Sequence, residues 1–179
     1  MKTISLLQPW ATLVAIGEKT IETRSWRTNY RGPLAIHASL GTKYINVKSK
    51  YYLCGTDPFY SVIMVYAHKQ YRMYRDIAGL PNKPMFPLGA IIATCELTNC
   101  VRIPYKPQPF PSDDRINKSY CQMFQLIPPP LERGHELSFG DYTPGRYAWI
   151  LSNIKPLVKP VPVKGSLGLW EWNAPDGIS

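Results

Sequence analysis

The segment GEKTIETRSWRTNYRG, residues 17–32, concentrates charged side chains that could do chemistry together. It holds two acidic and four basic residues, with a tryptophan and a tyrosine among them. Its TIETRSW portion alternates as a β-strand does, so Glu22 and Arg24 share one face about 7 Å apart. At that spacing their side chains can pair. Lys19 lies just before this strand, where its ammonium could fold over the same face.

A second alternating segment, PLAIHAS, places His37 on the face opposite its core-facing residues. If the two strands lie side by side, the imidazole joins the lysine, glutamate and arginine. Such a group can bind a phosphate and a base edge together. It can also transfer protons, if burial lowers the lysine pKa from its reference value of roughly 10.4. The alternative is an exposed strand face with ion pairs worth about 0–1 kcal/mol each. Spacing alone leaves both interpretations open.

Composition and charge narrow the class of protein. The chain has 179 residues, 45% of them hydrophobic and 18% charged, as expected of one globular domain. Its formal net charge of +9 favours a polyanionic partner, although a basic surface can also serve solubility alone. No secretory signal or membrane-spanning run is evident, so we expect a cytoplasmic protein without a membrane partner. The four cysteines form no C-x-x-C pair, and we expect neither a metal nor a cofactor.

The remaining elements must position these side chains. SLLQPWATLVAIGEKT predicts a short strand followed by a helix, with Pro9 in the first turn and Gly17 as the left-handed stop. Further strands are predicted from their β-branched and aromatic content in GAIIATCELTNCVRI, GRYAWILSNIKPL, VPVKG and GLWEW. Several short strands with few helices predict an α+β fold built on a small mixed β-barrel.

Two segments are interpreted as insertions into a single domain that spans residues 1–179. The first, at about 42–85, is rich in tyrosine and basic residues and has loose helical spacing. The second, at about 104–138, is punctuated by prolines and predicts a long loop. The tyrosines of the first insertion could dock another protein, cover the barrel, or stack on bases. Trp26, set among arginines, suits the stacking of single-stranded bases.

Four segments together resemble the ASCH domain, a branch of the PUA-like superfamily. They are QPWATLVAIGEKTIETRSW, YRGPLAIHAS, GRYAWILSNIKPL and VPVKGSLGLWEW. The resemblance implies a small β-barrel with helices packed around a cleft, and a role with RNA or DNA. Single-stranded or modified nucleic acid, RNA rather than DNA, or a nucleoside would then lie in a basic cleft. The candidate contacts are Lys19, Glu22, Arg24, Trp26, Arg31, His37, Ser39, Lys164 and Ser166.

The resemblance also implies an alternative, a metal-independent hydrolase in the same cleft. Relatives include a ribonuclease and an amidohydrolase that deacetylates acetylcytidine with a lysine, a threonine three residues later and a distant glutamate. Lys19 matches that lysine, but Glu22 stands where the threonine would be, and a carboxylate is a poor nucleophile. Lys19 and Glu22 are therefore tentative catalytic residues, with Glu22 as a general base. Glu96, Glu132 and Glu136 are each conceivable as the distant glutamate.

Overall fold

A computed structural model describes residues 1–44, 86–104 and 136–175, and most of this part of the chain is β-structure. In chain order its elements are β1 (Lys2–Leu6), α1 (Trp10–Ala15), β2 (Ile21–Arg24), β3 (Gly32–Ala38), β4 (Ala90–Arg102), a 3₁₀ turn (Glu136–Phe139), β5 (Tyr147–Pro162) and β6 (Leu169–Glu171). The six strands form one sheet in the order β2-β5-β4-β3-β1-β6. Only the β1–β3 pair of this described sheet is parallel.

The sheet curls into a half-barrel. β2 lies at one edge and β1 is fifth in order. Nevertheless the Arg24 guanidinium of β2 donates to the Ser5 carbonyl of β1 across 3.0 Å. Strands that are four intervals apart in a flat sheet would be separated by roughly 19 Å. Edge strand β2 and strand β1, which is next to the opposite edge strand β6, therefore meet through a side chain. We call this line of contact, formed by Lys19, Glu22, Arg24 and Ser5, the seam.

The main core fills the concave side, where α1 packs against β1, β3, β4 and β5. Its largest fully buried side chain is Trp149 of β5, which lies among the aliphatic residues of the other strands. A second cluster covers the opposite face of β3 and comprises Ala35, Ile91 and Trp172. Both faces of β3 are thus buried from Leu34 to Ala38.

Most of the predicted elements are confirmed. Helix α1 begins after Pro9, and Gly17 has the left-handed φ of +80° that ends it. The strands predicted in GRYAWILSNIKPL and VPVKG differ from expectation, because most of these residues form the single 16-residue strand β5. Its register shifts against β4 let one continuous strand follow the curl.

The β part of the predicted α+β fold class is supported. A curled sheet is consistent with a small barrel, but the described residues contain a single short α-helix instead of helices around a cleft. The predicted insertions at 42–85 and 104–138 fall almost wholly outside the described residues. They remain predictions, as does the single domain over 1–179.

His37 lies on the convex face of β3, opposite its core-facing neighbours as the alternation of PLAIHAS predicts. This face is covered, so the ring is 2% exposed instead of facing solvent. Gly165 packs directly on it: a Cβ added there would lie 2.6 Å from Nδ1. Position 165 therefore requires glycine for reasons of space.

We expect Gly165→Ala to lower the free energy of unfolding by roughly 1–3 kcal/mol, because the methyl group must displace a buried ring that is hydrogen-bonded at both nitrogens. Urea denaturation measures the change. Gly41→Ala is the control, since its Cβ would meet the flexible end of the exposed Leu7 side chain and would lie at an ordinary contact distance of 3.7 Å from the Ser39 hydroxyl. Equal stability of both variants would contradict the proposed packing.

Candidate functional site

Three of the four seam residues are charged and form a chain of ion pairs. Glu22 Oε2 lies 3.5 Å from Lys19 Nζ, and Glu22 Oε1 lies 3.0 Å from Arg24 Nε. The second contact is an ion pair without hydrogen-bond alignment. Exposure rises along the chain, from 1% for the Lys19 side chain through 12% for Glu22 to 25% for Arg24. The carboxylate therefore joins a buried ammonium to a guanidinium at the surface.

The local sequence explains why Lys19 is buried. After Gly17 the backbone folds back on α1, and the N–H groups of Glu18 and Lys19 both donate to the Leu13 carbonyl at 3.0 Å. The chain then enters β2 directly, since the Thr20 carbonyl accepts from Leu151 of β5. The lysine side chain is left inside the curl, where its ammonium donates to the Ile21 carbonyl.

A buried glutamate far along the chain completes this end of β2. Glu136 accepts from the backbone N–H groups of Thr20 at 2.9 Å and Ile21 at 3.1 Å. It also accepts from the Thr20 hydroxyl at 3.3 Å. β2 is an edge strand of the described sheet, and both N–H groups donate to Glu136 at the start of this strand. The carboxylate thus satisfies donors that strand pairing leaves open.

Tyr142 lies near both carboxylates. Burial raises the pKa of its phenol well above the ordinary value, and the charges of Glu136 and Glu22 raise it further. The buried hydroxyl has no hydrogen-bond partner among the described residues. It therefore stays protonated at any pH near neutrality.

Ser5 joins the seam to His37. Its carbonyl accepts from Arg24, while its hydroxyl lies 3.1 Å from His37 Nδ1. The same hydroxyl lies 3.0 Å from the Ser166 carbonyl oxygen. The exposed residues Lys164 and Ser166 belong to the loop between β5 and β6 that passes beside Ser5. Through Ser5, the structure connects Arg24, His37 and this loop.

The other sequence-predicted residues lie apart from these contacts. Trp26 is half-buried and packs edge-to-face on Trp149, with ring centroids 4.7 Å apart. Arg31, just before β3, donates to the carbonyl of Tyr30, among others, and to the Asn99 side chain of β4. Ser39 has a buried hydroxyl without a partner among the described residues. Trp26 is therefore packed against Trp149, and Arg31 forms its hydrogen bonds away from the seam.

Sequence reasoning missed Ser5 and Tyr142 and left Glu136 as one of three alternatives. Ser5 stands in an ordinary strand pattern, and no local signal marks it. Glu136 could not be chosen without coordinates, because 116 residues separate it from Thr20. Glu96 instead lies on β4 opposite Pro33 and is exposed, and Glu132 falls outside the described residues.

Metal ligands and membrane spans can be sought only in residues 1–44, 86–104 and 136–175. Within these ranges, no group of three or more histidine, cysteine, aspartate or glutamate residues is placed to hold a metal ion. No helix of the same part of the chain is long and apolar enough to cross a membrane.

The curled sheet and its enclosed helix form a small β-domain, with the charged seam between β2 and β1. The ASCH domain family model matches residues 4–160, which is most of the chain. The protein therefore belongs to the ASCH domain family, a PUA-like family whose members often bind RNA. A comparison with curated protein sequences finds no significant match.

Removing the carboxylate at the centre of the seam should destabilise the fold. We expect Glu22→Gln to lower the free energy of unfolding by about 3–5 kcal/mol, because it leaves the buried Lys19 ammonium without a counter-ion. Chemical denaturation at neutral pH measures this. Glu171→Gln is the matched control: it breaks an ion pair with Lys2 at the surface and should have little effect. A stability near wild type for Glu22→Gln would show that the seam is unimportant to the fold.

Proposed function

We propose that this protein binds single-stranded nucleic acid, RNA in preference to DNA, at the seam. The observation that carries the proposal is the state of Arg24. Its guanidinium is fixed by Glu22 and by the Ser5 carbonyl, yet the side chain is one quarter exposed. A guanidinium held in place loses little side-chain entropy when it binds a phosphate.

The surroundings of Arg24 favour an anionic ligand. Lys164 is exposed two residues from Ser166, whose carbonyl oxygen lies 3.0 Å from the Ser5 hydroxyl, so the loop beside Ser5 carries a second cation. Glu22 is already paired with Lys19 and Arg24 and contributes no unbalanced negative charge. The chain as a whole carries +9, which attracts polyanions over longer distances.

The buried position of Lys19 assigns it a supporting role in this proposal. Its ammonium is enclosed and bound to the Ile21 carbonyl and Glu22, so it orients the carboxylate that in turn orients Arg24. Contact with phosphate falls to Arg24 and Lys164. His37 acts through Ser5, because its own ring is covered.

Binding should depend on salt and on Arg24. We expect Arg24→Gln to weaken the binding of a single-stranded RNA roughly tenfold or more, as the loss of a charged hydrogen bond implies. Each phosphate that the protein no longer neutralises should reduce the log–log salt slope by about 0.7. Fluorescence anisotropy with RNA and DNA of one sequence measures both quantities.

Lys2→Gln is the control for this experiment, since it removes the same charge at the opposite end of β1. It should change affinity much less than Arg24→Gln does. Undetectable binding of wild type at low salt, or equal reductions of affinity in both variants, would contradict the proposal.

One observation favours a second candidate function, the amidohydrolase. The Thr20 hydroxyl lies 3.3 Å from the buried carboxylate of Glu136, near the distance that activates a nucleophile by a general base. In this second proposal Thr20 Oγ1 attacks the acetyl carbonyl of an acetylated base, and Glu136 takes the hydroxyl proton and returns it to the leaving amine. Water then releases acetate from the threonine ester. The ribonuclease alternative, with Glu22 as its base, stays a prediction.

Turnover of acetylcytidine tests this second candidate. We expect wild type to release acetate, and Thr20→Val and Glu136→Gln to lose this activity at least a hundredfold. Thr98→Val is the control, since the Thr98 hydroxyl only donates to the Ile150 carbonyl. Absence of acetate from wild type, or equal release by all four proteins, would rule the hydrolase out.

A further inference from the structure

The hydroxyl of Ser5 has three polar neighbours. His37 Nδ1 lies 3.1 Å away, the Ser166 carbonyl oxygen 3.0 Å and Trp170 Nε1 3.2 Å. An indole N–H only donates, so Trp170 uses one lone pair of the hydroxyl oxygen. The single hydroxyl hydrogen must then serve either His37 or Ser166.

The protonation state of His37 decides between these two partners. His37 Nε2 lies 3.1 Å from the Val163 carbonyl, which only accepts, so Nε2 carries a hydrogen in either state. In the neutral imidazole Nδ1 is a bare acceptor and takes the Ser5 hydrogen. In the imidazolium Nδ1 donates to Ser5, whose own hydrogen is then free for the Ser166 carbonyl.

We propose that Ser5 is a positioning residue of the seam. When a proton binds His37 Nδ1, the Ser5 hydroxyl rotates, and its hydrogen bond changes acceptor from His37 Nδ1 to the Ser166 carbonyl. The carbonyl of Ser5 holds Arg24 in both states, whereas its hydroxyl holds the loop at 163–168 only in the protonated state. The effect on nucleic-acid affinity rests on the function proposed above; the hydrogen transfer itself does not.

The groups around His37 set the pH range in which its imidazole is protonated. β1 contributes the neutral Ser5, β4 places Ile91 in register, and β6 contributes the Trp170 ring at 5.6 Å. The nearby charges are cationic: Lys164 follows Val163, and Arg24 reaches the Ser5 carbonyl. At the opposite end of β1, the Glu171 carboxylate is paired with Lys2 and the N-terminus.

Burial lowers the pKa of His37 below its ordinary value of about 6.5, although the hydrogen bond to Val163 opposes this shift. The transfer therefore takes place on the acid side of about pH 6.5. A lowered pKa means that the unfolded chain binds this proton more readily, so acidification through this range also reduces stability.

Nuclear magnetic resonance can follow both partners. We expect the His37 Cε1–H signal to titrate below about pH 6.5. The carbonyl ¹³C signal of Ser166 should shift with the same midpoint, as it gains a hydrogen bond. Ser5→Ala keeps the backbone carbonyl and removes only the hydroxyl. In this variant His37 should still titrate while the Ser166 signal stays constant. Ser5→Thr should restore the coupling, and Ser152→Ala should behave as wild type.

The outcomes separate this proposal from the proposed function. A coupled shift that persists in Ser5→Ala overturns it, and so does a wild-type imidazole that stays neutral down to acid unfolding. If RNA binds, its affinity should show the same midpoint in wild type and Ser5→Thr but not in Ser5→Ala. A coupled titration in a protein that binds no RNA would leave the hydrogen transfer standing and refute only the binding function.

Discussion

The buried charge of Lys19 is the constraint on which the seam depends. A fully enclosed ammonium is tolerated only with a counter-ion and hydrogen bonds close by, and Glu22 and the Ile21 carbonyl supply them. The second carboxylate oxygen of Glu22 forms an ion pair with Arg24, and this pair fixes the guanidinium. Arg24 then reaches the Ser5 carbonyl. One buried charge thus leads, step by step, to the contact between β2 and β1.

Side chains, instead of strand pairing, close the described sheet. The edge of β2 presents backbone N–H groups that have no strand beside them among the described residues, and such groups invite pairing with other chains. Glu136 covers them with both carboxylate oxygens. Arg24 in turn donates to the backbone carbonyl of Ser5, near the C-terminal end of β1. Polar contacts of this kind leave the Arg24 side chain one quarter exposed at the seam, whereas continuous strand pairing would have covered it.

The local features of the fold could be predicted because local chemistry dictates them. The alternation of TIETRSW put Glu22 and Arg24 on one face, and Gly17 ended the helix. Contacts between distant segments could not be predicted: 161 residues separate Ser5 from Ser166. No periodicity marks such a pair, since each residue stands in an ordinary local pattern. The burial of Lys19 was missed for the same reason, because its enclosure depends on how α1 packs inside the curl.

β2 offers its two proposed activities on different sides, and this separates them physically. Its face carries Glu22 and Arg24, whose charges suit a phosphate. Its free edge carries the contact between Thr20 and Glu136, which has the form of a nucleophile and its base. Arg24 is held through Glu22 and Ser5, and neither residue takes part in the Thr20–Glu136 contact. Binding can therefore persist without chemistry. Deacetylation, in contrast, requires the acetylated nucleobase to reach the edge of β2 while the phosphate of the same nucleotide is held on the face.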